Sequence, residues 1–317
     1  MQENHLHYFS GNTMGTVYNI KYLAKKDKDY KAQIDSLLID FNKALSTWDP
    51  ESEISKFNRG LTLNNPSDYF LPVLEKSLDV WKHTDSAFDP TVMPLVEAWG
   101  FLDSKNAVFP DSSTIDSILN FVGFDKIEFN QNKISKTKPS VALDFSAVAK
   151  GYGVDVIGNY LQEQSVNNFM IEIGGEILCK GENPGGQPWK IGINVPDTTA
   201  SRKDLYAIVS LEDKAVATSG NYRNYFVKNG VMYSHTINPV TGYTVNHNLL
   251  SASVFADDCM TADAYATAMM VLGLDGSRKL LEKLKNIDAY LIYSTEEGNF
   301  ASFTTRGIAE AIKNTDE

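Results

Sequence analysis

Apolar residues change their spacing at about residue 126, and this change limits the fold class more strongly than any other feature of the sequence. Before it, two segments carry apolar residues every three or four positions, from Tyr30 to Leu45 and from Phe70 to Trp81, as amphipathic helices do. After it, short apolar runs of strand length dominate, and helical spacing returns only at intervals. Strands in runs, interrupted by helices rather than alternating strictly with them, indicate an α+β fold and argue against a doubly wound parallel sheet.

The predicted elements follow from this spacing. An early half-buried strand is expected over 16–22, where apolar and polar residues alternate. Further strands are expected at 126–129, 141–145, 169–173, 189–195, 205–211 and 250–255, and helices at 146–163, 258–272 and 276–285. We favour a single compact domain with a cleft, with two tightly packed lobes as the alternative. Residues 1–12 begin with a polar stretch and are expected to form an N-terminal arm or tether, so that the domain spans 13–317.

The charge and the distribution of apolar residues exclude several classes of protein. The chain has 29 Lys and Arg against 40 Asp and Glu, a net charge of −11. An acidic chain without a run of Lys or Arg lacks the cations that bind a phosphate backbone, so nucleic acid is not an expected partner. No stretch approaches the roughly 18 consecutive apolar residues of a membrane span, and residues 1–5 lack the basic and apolar regions of an export signal. An export signal or lipid anchor upstream of this sequence is compatible with its polar start.

The two cysteines predict neither a disulfide framework nor a zinc site. Cys179 and Cys259 are 80 positions apart and form neither a CxxC pair nor a set of four ligands. A chain of about 300 residues buries enough surface to fold without such links. We expect both thiols to be small core residues.

The segment from Val141 to Asp155 combines an apolar run with a lysine at a predicted helix start. The apolar run leads into Asp144, and small residues then open a helix whose first turn carries Lys150. Free backbone N–H groups at a helix start, together with an ammonium, form an anion site of phosphate size. A dinucleotide fingerprint is excluded, because Gly-Tyr-Gly at 151–153 is followed by Val156 in place of the third glycine. An ordinary strand, turn and helix with a solvated lysine explains the same residues equally well.

Asp263 and Thr267 lie four positions apart in the helix predicted from residue 258, so they share one face of it. A carboxylate and a hydroxyl are hard oxygen ligands that suit Mg²⁺ better than zinc, particularly where substrate phosphates supply further ligands. The residues alone favour a simpler interpretation, in which Asp263 merely complements the positive start of the helix.

His235 stands among hydroxyl and amide side chains. The segment 215–226 contains a strand that ends in Thr-Ser-Gly and is followed by Arg223, and 233–242 is a turn rich in Asn, Pro, Thr and Gly. Because the unperturbed pKa of histidine is about 6.5, His235 could act as a general base. A lone histidine is more often structural, and the sequence leaves both interpretations open.

Two further segments have both a structural and a binding interpretation. Gly174-Gly175-Glu176 follows a predicted strand, and its double glycine permits the close approach of a ligand or a second strand, or simply a hairpin or bulge. Residues 87–101 are rich in aromatic side chains and proline, which suits a packed core as well as a ring-binding pocket.

Taken in order, these segments resemble the ApbE-type flavin transferases, also called FAD:protein FMN transferases. The resemblance rests on residues 13–16, 45–50, 52–58, 87–101, 144–151, 174–176, 217–226 with His235, and 262–267. It covers nearly the whole chain. Several long motifs in one order are far more specific than any one of them alone.

The resemblance implies an α+β enzyme with mixed or antiparallel sheets flanked by helices and FAD in a cleft. Such enzymes bind FAD with Mg²⁺, cleave its pyrophosphate, attach FMN through a phosphoester to a threonine or serine hydroxyl of a target protein, and release AMP. FAD is implied at Met14, Trp48, Ala87, Phe88, Asp89, Asp144, Lys150, His235 and Ile237, and Mg²⁺ at the carbonyl oxygen of Ala147 and the side chains of Asp263 and Thr267. The family commonly has tyrosine where Trp48 stands, so the ring is kept and the hydroxyl is absent.

The resemblance also implies catalytic roles, location and partners. Lys150 would clamp a phosphate oxygen, and His235, or else Asp144, would accept the proton of the target hydroxyl. Two other functions stay open: a Mg²⁺-dependent FAD pyrophosphatase giving FMN and AMP, and a non-catalytic flavin-binding protein of the cell envelope. The implied location is periplasmic or cell-envelope, often as a membrane-anchored lipoprotein. The implied partners are acceptor flavoprotein subunits of sodium-pumping or electron-transfer membrane complexes.

Overall fold

The computed structural model describes residues 4–101, 109–197, 201, 204–221, 225–228 and 231–315. The strands are β1 (His5–Thr13), β2 (Thr16–Ala24), β3 (Thr62–Asn64), β4 (Ile127–Asn130), β5 (Lys133–Lys136), β6 (Phe169–Ile173), β7 (Glu176–Lys180), β8 (Trp189–Asn194), β9 (Leu205–Leu211), β10 (Lys214–Gly220), β11 (Tyr225–Lys228), β12 (Val231–Ser234), β13 (Leu249–Ala256), β14 (Asp288–Ser294), β15 (Phe300–Thr304) and β16 (Ile312–Asn314). The helices are α1 (Lys31–Leu45), α2 (Glu53–Arg59), α3 (Phe70–His83), α4 (Met93–Ala98), α5 (Ser112–Leu119), α6 (Ala149–Glu163) and α7 (Cys259–Leu281).

An eight-stranded sheet forms the centre of the fold. Its strand order is β1-β2-β6-β7-β10-β13-β14-β15, and neighbouring strands run antiparallel. Three small antiparallel sheets accompany it, in the orders β3-β5-β4, β16-β9-β8 and β11-β12. Together with the helices, these sheets confirm the predicted α+β class.

The central sheet is covered by helices on one face and by a small sheet on the other. The helix α6 packs on β6 and β7, and α7 packs on β10 and β13. On this face the alternating residues Tyr18 and Ile20 of β2 are buried with Val154 of α6. On the other face Cys179 packs with Val209 of the β16-β9-β8 sheet. Successive residues of a strand point to opposite faces of the sheet, so the central sheet has one apolar core on each side.

The structure confirms most of the predicted strands and helices to within a few residues. The strands expected at 16–22, 126–129, 169–173, 189–195, 205–211 and 250–255 correspond to β2, β4, β6, β8, β9 and β13, and the early helices to α1 and α3. Cys179 and Cys259 are unpaired and fully buried, as predicted. Within the part of the chain that the structure describes, no helix combines the length and apolarity needed to cross a bilayer.

The prediction of a strand at 141–145 is wrong. Val141, Leu143 and Phe145 are buried, but the segment joins no sheet. The side chain of Asn58 takes the place of a neighbouring strand: its Oδ1 accepts from the Leu143 N–H and its Nδ2 donates to the Leu143 carbonyl, both at 2.8 Å. An amide side chain can satisfy an extended backbone as a strand does, and apolar spacing cannot distinguish the two.

The arm predicted over 1–12 is also corrected. From His5 onward this segment is β1, the edge strand of the central sheet, and each of its residues is in register with β2. Phe9 packs edge-on against the rings of Tyr18 and Tyr22, which explains why a segment with a polar start is held on the sheet. The domain boundary at residue 13 stays a prediction.

The two helices predicted at 258–272 and 276–285 form one kinked element, α7. Gly273 has a φ of 70°, outside the helical region, and interrupts the run. The kink frees carbonyl groups, and side chains bind them: His247 Nε2 lies 2.8 Å from the Met270 carbonyl oxygen, and Ser277 Oγ donates to the Gly273 carbonyl at 2.6 Å. The first half of α7, which carries Asp263 and Thr267, therefore ends at a defined bend.

Candidate active site

A cleft of about 490 Å³ opens where the start of α6 and the first half of α7 meet the beginning of β7 and the end of β10. The segments 87–92 and 235–239 complete its wall. The predicted site residues that line it are Ala87, Phe88, Asp89, Asp144, Ala147, Lys150, His235, Ile237, Asp263 and Thr267. The fold thus brings residues from four distant parts of the sequence to one cleft.

Lys150 lies in the first turn of α6 and is held between two carboxylates. Its Nζ is 2.9 Å from Glu176 Oε1 and 3.8 Å from Asp263 Oδ2. Burial alone would lower the pKa of Lys150, but the charges of Asp263 and Glu176 outweigh it and raise that pKa above its ordinary value. The interpretation of Lys150 as a solvated lysine is therefore wrong: a permanent cation faces the cleft from a fixed position.

Asp263 is 2% exposed and its contacts belong to α6 rather than to its own helix start. Its Oδ2 accepts a hydrogen bond from the Gly151 N–H at 3.0 Å. The start of α7 is capped by other residues, since Asp258 accepts from the Thr261 N–H and Asp155 accepts from the N–H groups of the first two helical residues at 2.8 Å. The interpretation that Asp263 merely complements the helix start is not what the structure shows.

The two helices touch at Gly151, and this contact fixes the distance between Lys150 and Asp263. A Cβ at Gly151 would collide with the Cys259 carbonyl oxygen and lie 2.8 Å from the Cβ of Asp263. Only a glycine lets the backbones approach this closely. Helix packing therefore explains Gly151, one of the two glycines in the Gly-Tyr-Gly segment that does not match a dinucleotide fingerprint.

Hydroxyl groups from β10 and α7 form the neighbouring part of the wall. Ser219 Oγ lies 3.4 Å from Thr267 Oγ1, and Thr218 Oγ1 lies 2.8 Å from Ser253 Oγ. Among the residues described, no group of three or more His, Cys, Asp or Glu side chains forms a metal cluster. A metal at Asp263 would therefore depend on backbone and hydroxyl oxygens beside that carboxylate.

The donors present fit Mg²⁺. The contacts of Asp263 to Gly151 and Lys150 both engage Oδ2, and Thr267 supplies a hydroxyl from the next turn of the same helix. Hard oxygen ligands of this kind are what Mg²⁺ prefers, usually with phosphate oxygens and water completing its shell. Two carboxylates share one ammonium here, so the wall has surplus negative charge that a divalent cation would neutralise.

Asp144 ties two segments of the cleft wall together. Its backbone N–H donates to the Pro90 carbonyl at 2.7 Å, and its Oδ1 accepts from the Ser146 N–H at 2.8 Å. Burial raises the pKa of the Asp144 carboxyl above its ordinary value, although the bonds to Ser146 act in the opposite direction. The turn from Asp144 to Val148 therefore has a defined shape before α6 begins.

Asp89 shapes a neighbouring part of the cleft wall. Its Oδ1 accepts from the Thr91 N–H at 2.8 Å, and its Oδ2 accepts from the Trp81 indole N–H at 3.0 Å. Ala87 and Phe88 precede it and are almost fully buried while lining the cleft. This part of the segment 87–101 therefore belongs to the core and also lines the cleft, while ring binding there stays a prediction.

His235 and Ile237 belong to a short segment at the cleft rim. The side chain of His235 is exposed and lines the cleft, whereas Ile237 is buried and its backbone pairs with Thr244. His235 is therefore not the buried core histidine that sequence statistics favour. Arg223, from the neighbouring segment, lies outside the described residues.

Met14 and Trp48 are the predicted site residues that do not line the cleft. Met14 and Gly15 form the two-residue turn between β1 and β2, with φ values of 49° and 71°, and the Met14 methyl group packs beside Gly153 of α6. Trp48 follows α1 and is 79% exposed. Its ring therefore contributes little to packing within the chain.

Glu176 is the main residue that the sequence reasoning left out of the site. It is 4% exposed, lines the cleft and contacts Lys150. The sequence does carry a signal for this residue. Glu176 is the first residue of β7 and occupies a position that faces the core, where the alternation of the strand predicts an apolar residue. Gly174 and Gly175, with φ values of 61° and 109°, make the sharp turn that delivers it.

The sequence and the fold have close parallels among known proteins. A model of the ApbE family matches residues 14–291 of this chain. The chain belongs to the ApbE family. Among curated ApbE relatives, the FAD:protein FMN transferase of Haemophilus influenzae is 40% identical over 303 residues, which cover 91% of this chain and 87% of that protein. The FAD:protein FMN transferase of Vibrio cholerae is 39% identical over 299 residues, covering 92% and 88%.

Solved ApbE structures share the fold over nearly their whole length. The flavin transferase ApbE from Vibrio cholerae superposes with a TM-score of 0.87 at 36% identity, covering 97% of this chain and 99% of that one. The apo form of the flavinyl transferase ApbE from Pseudomonas stutzeri gives a TM-score of 0.87 at 30% identity, covering 98% and 97%. The ApbE-like fold expected from the sequence is therefore confirmed.

Proposed function

We propose that this chain transfers FMN from FAD to a threonine or serine hydroxyl of a target protein through a phosphoester bond and releases AMP. The observation that carries the proposal is the buried cluster of Lys150, Glu176 and Asp263 on the cleft wall. Phosphoryl transfer is accelerated mainly by fixed positive charges that face the transferring phosphate, and the Lys150 ammonium of this cluster supplies one. ApbE relatives named FAD:protein FMN transferases support the same reaction.

The reaction replaces one bond to phosphorus with another. The target Oγ attacks the FMN phosphorus of FAD, and the bond from that phosphorus to the bridging oxygen breaks, so that AMP leaves with the bridging oxygen. The Lys150 ammonium, whose pKa is raised above its ordinary value, binds an oxygen of the diphosphate and compensates its charge. The hydroxyl proton passes to a base on the cleft wall.

His235 is the favoured base and Asp144 the alternative. Both side chains line the cleft. The Asp144 carboxylate already accepts a hydrogen bond from Ser146 and shapes its own turn, whereas His235 is exposed at the rim, where an incoming hydroxyl would arrive. An imidazole also changes protonation near neutral pH, which suits a group that takes up and returns a proton.

Mg²⁺ is proposed as the metal, held by the Ala147 carbonyl oxygen and the side chains of Asp263 and Thr267. When bound, it would supply the positive charge that stabilises the diphosphate oxygens during transfer. The burial of Asp263 and its bond to Gly151 fix the orientation of this carboxylate before any ligand enters. Such preorganisation removes the cost of ordering a ligand at the moment of reaction.

The rest of FAD is proposed to lie along Ala87, Phe88, Asp89 and Ile237, with Met14 and Trp48 reaching it from the rim. The first four residues line the cleft and are mostly buried. An indole at Trp48 can stack on a flavin or adenine ring without the hydroxyl that tyrosine would bring.

Location and partners are proposed from family membership alone. By that resemblance the protein acts in the periplasm or cell envelope, as a lipoprotein in its full-length form. The acceptors would be flavoprotein subunits of sodium-pumping or electron-transfer membrane complexes. Fractionation of cells that carry the full-length gene product tests the location directly, and recovery in the cytoplasmic fraction would contradict it.

The test of the function incubates the purified chain with FAD and Mg²⁺, with and without a threonine-bearing acceptor domain, and follows AMP together with acceptor mass. We expect one FMN per acceptor and an equal amount of AMP. AMP without a gain in acceptor mass would favour a pyrophosphatase. Bound flavin with neither product would favour a flavin-binding protein.

A further inference from the structure

Glu176 is buried beside the proposed reaction centre although none of the assigned roles uses it. It begins β7 and points to the face of the central sheet that α6 and α7 cover, where its neighbours on the strand are apolar. A buried carboxylate is costly unless it is paired, and the ammonium of Lys150 at 2.9 Å is its partner.

Only one oxygen of this carboxylate is engaged. Glu176 Oε1 contacts Lys150, while Oε2 is buried and has no hydrogen-bond donor among the described residues. Structural carboxylates in native proteins are normally satisfied at both oxygens. An incompletely satisfied carboxylate that lines a cleft is typical of a site that a ligand completes.

The position of Lys150 depends on this pair. A lysine side chain has four rotatable bonds and loses much rotational freedom when it is held in one place. The shorter of its two carboxylate contacts is to Glu176, and the contact to Asp263 is 0.9 Å longer, the difference between 3.8 and 2.9 Å. Without Glu176, the ammonium would be free to swing toward Asp263 or into the cleft.

We propose that Glu176 is a positioning residue that fixes the Lys150 ammonium at the point where the diphosphate is attacked. This inference rests on the proposed FMN transfer and deepens it. Glu176 does not touch the reacting atoms. It acts through Lys150, and its negative charge opposes rather than assists the binding of an anionic diphosphate.

The positioning role of Glu176 predicts different changes in kcat and in the KM for FAD. In Glu176→Gln, the amide keeps the shape of the side chain and loses the charge that holds the ammonium. We expect kcat for AMP release to fall by about 10- to 100-fold, because a misplaced charged group costs most in the transition state. The KM for FAD should stay level or fall, because a repelling charge has been removed. A merely structural role would raise KM and lower the folded fraction instead.

A double-mutant cycle tests the dependence on Lys150. In a Lys150→Met background, adding Glu176→Gln should cause no further loss of kcat, since the group being positioned is already absent. Glu172→Gln is the matched control: it belongs to the same β6–β7 hairpin but lies on the opposite face of the sheet, where it binds Asn19 and Gly175. It should leave kcat unchanged.

A crystal structure of Glu176→Gln separates this inference from the proposed reaction. We expect Lys150 Nζ to leave its wild-type position by more than about 0.5 Å or to occupy several positions. An unmoved Nζ, or a full additional loss of kcat in the Lys150→Met background, would overturn the positioning role. If wild type produces neither AMP nor a flavinylated acceptor, the proposed function fails, while the position of Nζ still decides the role of Glu176.

Discussion

The two sides of the cleft are built differently. On the inner side, Lys150, Glu176 and Asp263 come from α6, β7 and α7, and the two helices are in close contact at Gly151. On the outer side, His235 is exposed on the connecting segment that follows β12. One side of the cleft holds its charges in fixed places, and the other presents its side chains to solvent.

The difference indicates which step each side serves. Stabilising a phosphoryl-transfer transition state requires charges whose positions do not change, which rigid elements provide. FAD and then the hydroxyl of a target protein must enter the cleft from solvent, and the exposed connecting segments border that entrance. Substitutions on the inner side should therefore affect the chemical step or stability, and substitutions on the outer side should affect proton transfer or ligand handling.

The largest effect is expected from Asp263→Ala, which removes the buried carboxylate of the inner side. FMN transfer should fall by about 1,000-fold, because both the proposed Mg²⁺ and Lys150 lose a negative partner. The measurement is single-turnover AMP release as a function of Mg²⁺ concentration, and EDTA should reduce wild type to a similar rate. Asp257→Ala, which breaks only an exposed ion pair with Lys214, is the control and should be close to neutral. Unchanged metal dependence in Asp263→Ala would refute the ligand assignment.

His235→Ala tests the outer side. Transfer should fall by about 100-fold if His235 is the base, while FAD binding is retained because the inner wall is intact. Single-turnover transfer and a fluorescence titration with FAD measure the two quantities separately. His83→Ala removes an exposed histidine on α3, outside the cleft, and should change neither. Normal transfer by His235→Ala would move the role of base to Asp144.

Gly151→Ala should separate α6 from α7. The added methyl group meets the Cys259 carbonyl and the Asp263 side chain, so we expect a loss of stability of about 1–3 kcal/mol together with lower activity. Urea unfolding at constant m-value gives the loss. Gly185→Ala, in the exposed loop before β8, is the control and should cost less than about 0.5 kcal/mol. Equal stability of the two variants would show that the helices are not in tight contact.

Asp155→Asn should weaken the anchoring of α7 in a pH-dependent way. Both oxygens of Asp155 accept hydrogen bonds from backbone N–H groups at the start of α7. An asparagine amide would place its own N–H donors against one of these N–H groups, so one hydrogen bond is lost. We expect this loss to lower the unfolding free energy by about 1–3 kcal/mol. Burial raises the pKa of Asp155 to about 7, so the folded protein holds this proton more tightly than the unfolded chain.

The sign of the pH effect follows from that raised pKa. The stability contributed by the bound proton is fully present below the unfolded pKa of about 3.9 and is lost as pH rises through about 7. The difference in unfolding free energy between wild type and Asp155→Asn should therefore be smaller at pH 8 than at pH 5. A difference that is the same at pH 5 and at pH 8 would contradict this and would show that Asp155 is ionised throughout the range.

The smallest effect is expected at the turn between β1 and β2. Met14 has a φ of 49°, which asparagine adopts more readily than methionine does, and Asn-Gly is the preferred pair for a two-residue turn with both φ values positive. Met14→Asn should raise stability by up to about 1 kcal/mol and weaken FAD binding several-fold. Thermal unfolding and FAD titration measure the two. Higher stability with unchanged FAD affinity would remove Met14 from the flavin site.

The sequence predicts those secondary-structure elements whose apolar residues recur at a regular spacing. The alternation in β2 and the stripe of α1 were read correctly, since each reports burial on one face. The segment 141–145 was misread, because its partner is the Asn58 side chain, 85 positions from Leu143, and no local pattern records that bond. The β1 strand was missed because its first half is exposed at the sheet edge.

The grouping of most candidate site residues in one cleft was also predicted, but for a different reason. Lys150, Asp263 and His235 came from several motifs in one order, and the cleft does collect them. Spacing alone left each of them with an ordinary structural interpretation of similar or greater weight. Glu176 was overlooked because its importance lies in a 2.9 Å contact with a residue 26 positions earlier in the sequence, which only the folded chain displays.

A crystal structure with FAD and Mg²⁺ bound tests the central claim most directly, namely that the buried inner wall performs the chemistry. The expected result is a diphosphate oxygen within about 3 Å of Lys150 Nζ, with the FMN phosphorus open toward His235. A diphosphate bound away from Lys150 and Asp263 would contradict the account.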